Sequence, residues 1–233
     1  MLTQLRYNLK IVAPTLGWTV VLVIGLTTLV LLGQFSIEGY SLGNAAELSE
    51  QFIPLLAAFF TAGVLDAEMK RGAHEVLRSK ALPLWQTLGY RILIALVLSF
   101  ALSAIMLLIV HFNLLRLPVG ILLLSAFPPA CCMGVISLWI RVRLGNAFMG
   151  YLAAIAMWVG SIVMSTVEQE GMSVNPLFSF TSYTNLVKAT ASRTLESTPY
   201  VDWWWVSKIA LVIVSVVIFW SITRRVEQLV EAD

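Results

Sequence analysis

Between Leu65 and Arg91 the chain carries Lys70, Arg71, Arg78, Lys80 and Arg91, interleaved with Asp66, Glu68 and Glu75 and with apolar residues at helical spacing. Charges of both signs on an amphipathic helix suit recognition: such a helix lies on a membrane surface or against a soluble partner. Reactive constellations are missing elsewhere in the sequence. There is no P-loop of the form GxxxxGKS or GxxxxGKT to cradle phosphates, no HExxH to hold a catalytic zinc and no GxSxG nucleophile elbow. His74 and His111 stand alone in different regions, so no metal site is expected. Cys131 and Cys132 are adjacent inside an apolar run, where a mutual disulfide cannot reach its usual Cα separation, and they read as small buried hydrophobes. No enzymatic activity and no cofactor are expected of this chain by itself.

The elements that must hold the charged segment are apolar. Of 233 residues 59% are hydrophobic and 12% charged, against about 45–50% and about 25% in soluble domains. The composition therefore predicts an all-α integral membrane protein made of one domain, residues 1–233. A net charge of +2, with no basic cluster free of acids, excludes nucleic acid as a partner. The start MLTQLRYNLK lacks the layout of a cleaved secretory signal, so the first apolar run is expected to stay as a span.

Runs long enough to cross about 30 Å of hydrocarbon lie at 11–32, 92–112, 119–140, 147–167 and 204–222, with a shorter sixth at 52–65. Basic residues decide whether the short run crosses, because cytoplasmic flanks carry the Lys and Arg excess. With six spans and a cytoplasmic N-terminus, Arg6, Lys10, the five basic residues of the polar segment, Arg141, Arg143, Arg224 and Arg225 lie inside. Arg116, Lys188, Arg193 and Lys208 lie outside, a split of eleven to four. If 52–65 does not cross, the split becomes six to nine, so six spans and two cytoplasmic termini are predicted.

Leu2, Leu5, Leu9 and Val12, with Arg6 and Lys10, predict an amphipathic N-terminal helix at the interface. Short connections at 113–118 and 141–146 predict antiparallel neighbours. The outer segment 34–51 has three glutamates and no basic residue, and 168–203 contains PLFSFTSYTNLV ahead of Trp203, Trp204 and Trp205. That stretch is too apolar for water and too short to span. It predicts short outer helices before the sixth span, whose entry the tryptophans mark. Lys208, about one turn inside that span, is expected to snorkel outward. No acid is expected at mid-depth, which argues against an ion-driven carrier.

Asp66, Glu68, Gly72, Glu75, Leu77 and Pro83 resemble the pattern of acidic residues, then GxxExL, then a proline before the third span. This pattern belongs to the permease subunits of type 2 ATP-binding-cassette exporters. The GxxExL match is in register, whereas the family's proline usually stands nearer the glycine than Pro83 does. Asn175, Pro176 and Leu177, followed by aromatics, are similar to the family's Asn-Pro segment before the last span, and the resemblance covers the six-span layout as a whole. It implies a half-transporter in a prokaryotic cytoplasmic membrane. The 66–83 segment would be the coupling helix on a separate ATPase subunit, which binds ATP and Mg, and a second permease, identical or related, would complete the path. It implies alternating access for a hydrophobic or amphiphilic substrate: a lipid, a peptide, a drug or haem. Asp66, Glu68, Gly72, Glu75, Leu77 and Pro83 would make the coupling surface, with Arg71 and Arg78 flanking Glu75 for salt bridges.

In the family the second and fifth spans line the path, which makes Phe59, Phe60, Met157 and Trp158 the candidate substrate contacts. Gly150, Ala154, Ala156, Gly160, Ser161 and Ser165 predict close helix approach in the fifth span, and Pro128-Pro129 predict a kink or local unwinding in the fourth. A non-transporting anchor or signalling subunit, docking a soluble partner through 66–83, is the alternative. A neighbouring reading frame for a lone P-loop ATPase would separate the two.

Overall fold

The computed structural model of the protein describes residues 25, 42–65, 84–113, 117–167 and 199–232, and all regular structure among them is helical. In chain order the helices are α1 (Leu42–Ala62), extended by a 3-10 turn at Gly63–Leu65, α2 (Leu84–Asn113), α3 (Val119–Leu144), α4 (Ala147–Val167) and α5 (Pro199–Ala232). The expected N-terminal interfacial helix, the coupling segment 66–83 and the outer segment 168–198 lie outside the described residues. Of the first apolar run Gly25 alone is described, with its Cβ position 3.7 Å from the Met106 methyl on α2.

Among the described residues three stretches are long and apolar enough to cross a bilayer: Gln86–Phe112, Val119–Leu144 and Val206–Val226. The shortest, at 21 residues, rises about 32 Å at 1.5 Å per residue. Leu93, Val97 and Ile105 on α2, with Ile209, Ile213, Val216 and Val217 on α5, face outward. So much contiguous apolar surface fits lipid and not water, and the protein is membrane-embedded.

Helix α1 is the centre of the bundle. From Gln51 to Leu65 every residue is buried except Phe52 and Phe59, which are half-buried. One side packs with Leu88, Ile92, Leu138, Val142, Ile222 and Val226 through Leu56, Phe60 and Val64. The other packs with Met133 and Ala154 through Leu55 and Ala58. The helix starts at Leu42, well before the apolar run begins at Phe52. The residues that carry it outward include the good helix formers Ala45, Ala46, Glu47 and Leu48. A helix walled by other helices has its polar residues satisfied by protein, so its apolar run can be short.

Helix directions follow from the contacts. The last turns of α1, α3 and α5 meet the first turns of α2 and α4, because Val64, Leu65, Val142 and Val226 cluster with Leu88 and Ile92 while Gly150 abuts Ala62 and Arg141. Consecutive helices therefore alternate in direction. The α3–α4 turn needs only two residues. Gly145 takes the left-handed conformation (φ 65°) that ends α3 and donates its N–H to the Arg141 carbonyl at 2.9 Å. The Asn146 side chain then accepts the Phe148 N–H at 2.9 Å, capping α4.

Two expectations change. Pro128 and Pro129 sit inside an unbroken α3, with no local unwinding. Pro129 is buried, and the Ser125 hydroxyl turns back to the Leu122 carbonyl at 3.0 Å. Arg91, read as part of the polar segment, lies instead well inside α2 with 2% of its surface exposed. The helix starts at Leu84 and carries it into the bundle.

Candidate functional site

The expected coupling residues Asp66, Glu68, Arg71, Gly72, Glu75, Leu77, Arg78 and Pro83 lie outside the described residues. What is described is the root from which that segment leaves, a junction of α1, α3 and α4. The last carbonyls of a helix lack intrahelical partners, and the Arg141 guanidinium, 1% exposed, donates to the carbonyl of Ala62 at the end of α1. On the preceding residue the Thr61 hydroxyl lies 3.0 Å from the Gly134 carbonyl of α3, and 2.8 and 3.1 Å from the carbonyls of Ala57 and Ala58.

Two glycines allow this closeness. A β-carbon on Gly134 would stand 2.9 Å from Thr61 Oγ1, and one on Gly150 would stand 3.0 Å from the Ser137 carbonyl oxygen and 3.1 Å from Arg141 Cβ. Not all the small residues of α4 serve this purpose. Gly150, Ala154 and Ser161 are buried, whereas Ala156 and Gly160 are exposed and nothing stands within 4 Å of a Cβ on Gly160. The packed face follows 150, 154 and 161, and 156 and 160 lie on the opposite one.

About three turns before Ala62 on α1, Glu50 Oε1 and Lys208 Nζ form a salt bridge of 3.1 Å, their side chains 0% and 3% exposed. This corrects the expectation that Lys208 snorkels outward and that buried acids are lacking. Hydropathy places Glu50 in an outer loop because it precedes the apolar run, but α1 starts early enough to carry it into the bundle. A sequence signal does exist: a lysine one turn inside a span calls for a counter-ion, and Glu50 is an acid just ahead of another span. Ser49 and Gln51 are buried beside it in sequence.

The four aromatic and thioether candidates separate into two groups. Phe59 stacks on Tyr151 with centroids 5.4 Å apart, Phe52 lies 6.0 Å from Trp158, and Met157 and Trp158 pack against the cluster around Leu55 and Ala58. These residues are half-buried along the α1–α4 seam. Phe60 faces the other way, 1% exposed within the core shared with α2, α3 and α5. Among the described residues Trp158 Nε1 is a buried donor without a partner. Sequence reasoning passed over Phe52 and Tyr151, whose signal is their spacing from Phe59 and Trp158 by seven residues, two helical turns.

His111, at the end of α2, holds the next helix in place: its Nδ1 stands 2.9 Å from the Leu117 amide nitrogen. Cys131 and Cys132 are free thiols, the second buried. The described residues thus hold a closely packed root at the end of α1 and a buried charge pair about three turns before it. No protein-family model matches the chain, and no curated protein and no solved structure matches it.

Proposed function

We propose that the chain is the permease subunit of a type 2 ATP-binding-cassette exporter, with six spans and both termini in the cytoplasm. It pairs with a second permease and with two copies of a separate ATPase, and carries a hydrophobic or amphiphilic substrate. The observation that supports this best is mechanical. The 66–83 segment, which bears the GxxExL pattern, leaves from the junction at which Arg141, Thr61, Gly134 and Gly150 lock α1 to α3 and α4. A push on that segment moves three helices as one body, as alternating access by rigid-body rocking requires. The exposed face of α4 with Ala156 and Gly160 suits the second permease, and Phe59, Met157 and Trp158 along the α1–α4 seam suit an apolar substrate.

Glu75→Arg places a third positive charge between Arg71 and Arg78 on the docking helix. Expression is expected to stay near normal while ATPase co-purification falls about tenfold or more, the equivalent of about 1.4 kcal/mol. Full co-purification with full substrate-stimulated hydrolysis would remove Glu75 from the docking surface. The topology has its own check. With Cys131 and Cys132 replaced, a cysteine at Ser79 is expected to resist a membrane-impermeant thiol reagent in intact cells and to react once the membrane is opened.

A further inference from the structure

Where the last turns of α3 lie beside α5, Trp139, Arg143, Trp220, Ser221, Arg224 and Arg225 line a cleft of about 330 Å³. That volume lies within the range of small-molecule sites, about 300–1,000 Å³. Its depth in the membrane is set by the sequence. Arg143 is the penultimate residue of α3, and Arg224 and Arg225 are the first charges after the uncharged run 209–223 of α5, a placement expected where hydrocarbon gives way to headgroups. The Arg224 guanidinium lies 3.6 Å over the Trp220 ring, a contact that holds the cation in place without consuming its charge. No carboxylate among the described residues pairs with Arg143, Arg224 or Arg225.

We propose that this cleft binds the phosphate headgroup of an anionic glycerophospholipid. Three cations converge on a space sized for a headgroup, and guanidinium forks match phosphate oxygens. Trp139 and Trp220, both exposed, present indole faces at the level where such rings favour the glycerol region. Below them Ile213, Val216 and Val217 of α5 leave an apolar surface for the acyl chains. That continuity from charged cleft to lipid-facing helix selects a lipid over a free phosphate ion, and basic pockets between spans at the cytoplasmic face are a recurring mode of headgroup recognition. The site is independent of the permease reading: it needs a bilayer with this face inward, and no ATPase.

Native mass spectrometry of the purified full chain in a neutral maltoside detergent tests this. The protein is titrated with dioleoylphosphatidylglycerol, with dioleoylphosphatidylcholine and, separately, with inorganic phosphate. Phosphatidylglycerol is expected to bind in preference to phosphatidylcholine, and phosphate alone to bind far more weakly. Arg143→Gln with Arg225→Gln should cut phosphatidylglycerol binding about fivefold per arginine, the equivalent of about 1 kcal/mol each. Arg116→Gln, three residues ahead of α3 in the sequence, should change it little. If the double variant does not fold, Arg225→Gln alone and the lipid preference of the unaltered chain still decide.

Four results would overturn the site. Equal binding of the two lipids, or undiminished phosphatidylglycerol binding by the arginine variants, denies headgroup recognition. Phosphate binding as strong as the lipid's reduces the cleft to an adventitious anion site. Unchanged lipid binding with lost co-purification of a protein partner reassigns it to that partner.

Discussion

Glu50→Ala is expected to destabilise the protein by about 3–5 kcal/mol, because it removes the carboxylate 3.1 Å from the Lys208 ammonium, which is 3% exposed inside the helix bundle. The pair links α1 to α5, helices that otherwise pack chiefly against α3 from different sides. Removing one charge therefore does two things: it takes away the counter-charge of the other, and it removes a polar tie between those helices. Lys208→Met should be similarly harmful. The double variant Glu50→Leu with Lys208→Met should recover most of the loss, since replacing both members of a buried pair by apolar groups is often neutral. Equilibrium unfolding in mixed micelles provides the comparison. Single variants within about 0.5 kcal/mol of the unaltered chain, the ordinary range for surface changes, would show that the pair is not buried as described.

Gly150→Val carries the second large effect. The β-carbon alone would come within 3.0 Å of the Ser137 carbonyl oxygen and 3.1 Å of Arg141 Cβ. The first of these is helix backbone and cannot turn aside, so α4 must move away from α1 and α3. Gly150→Ala is expected to cost about 1–3 kcal/mol, and the two further methyls of valine to cost more. Gly160→Ala on the exposed face should leave the stability of the isolated chain nearly unchanged. Because Arg141 also holds the Ala62 carbonyl, Gly150→Val should loosen the root of the 66–83 segment as well. Faster amide exchange at the end of α1 than in Gly160→Ala would record it. Equal stability of the alanine variants at 150 and 160 would contradict the packing at this junction.

The helical, membrane-embedded character of the chain is legible in its composition, because long uninterrupted apolar runs have few other uses. What escaped the sequence is what depends on partners far along the chain. Hydropathy treats Glu50 as the edge of a loop, and its ion pair with Lys208, in another helix, helps to offset its burial. Arg91 looks like the end of a polar segment until α2 is seen to start at Leu84. Arg141 reads as a cytoplasmic flank, yet its guanidinium closes the end of α1. Among the small residues of α4, spacing alone cannot separate the face that packs within the chain, through Gly150 and Ala154, from the face left open at Ala156 and Gly160. The sign and order of charges in the 66–83 segment are visible from sequence alone, and they carry the docking proposal.

That proposal makes the central claim, and one measurement reaches it directly. The full chain, tagged and purified from its native membrane in a mild detergent, is assayed for the proteins that accompany it and for nucleotide hydrolysis. A permease predicts a P-loop ATPase subunit present in an amount equal to the chain, with vanadate-sensitive ATP hydrolysis that Glu75→Arg abolishes together with the co-purification. A preparation that brings down a different soluble protein, or none, and hydrolyses no ATP would contradict the account and leave the chain as a membrane anchor.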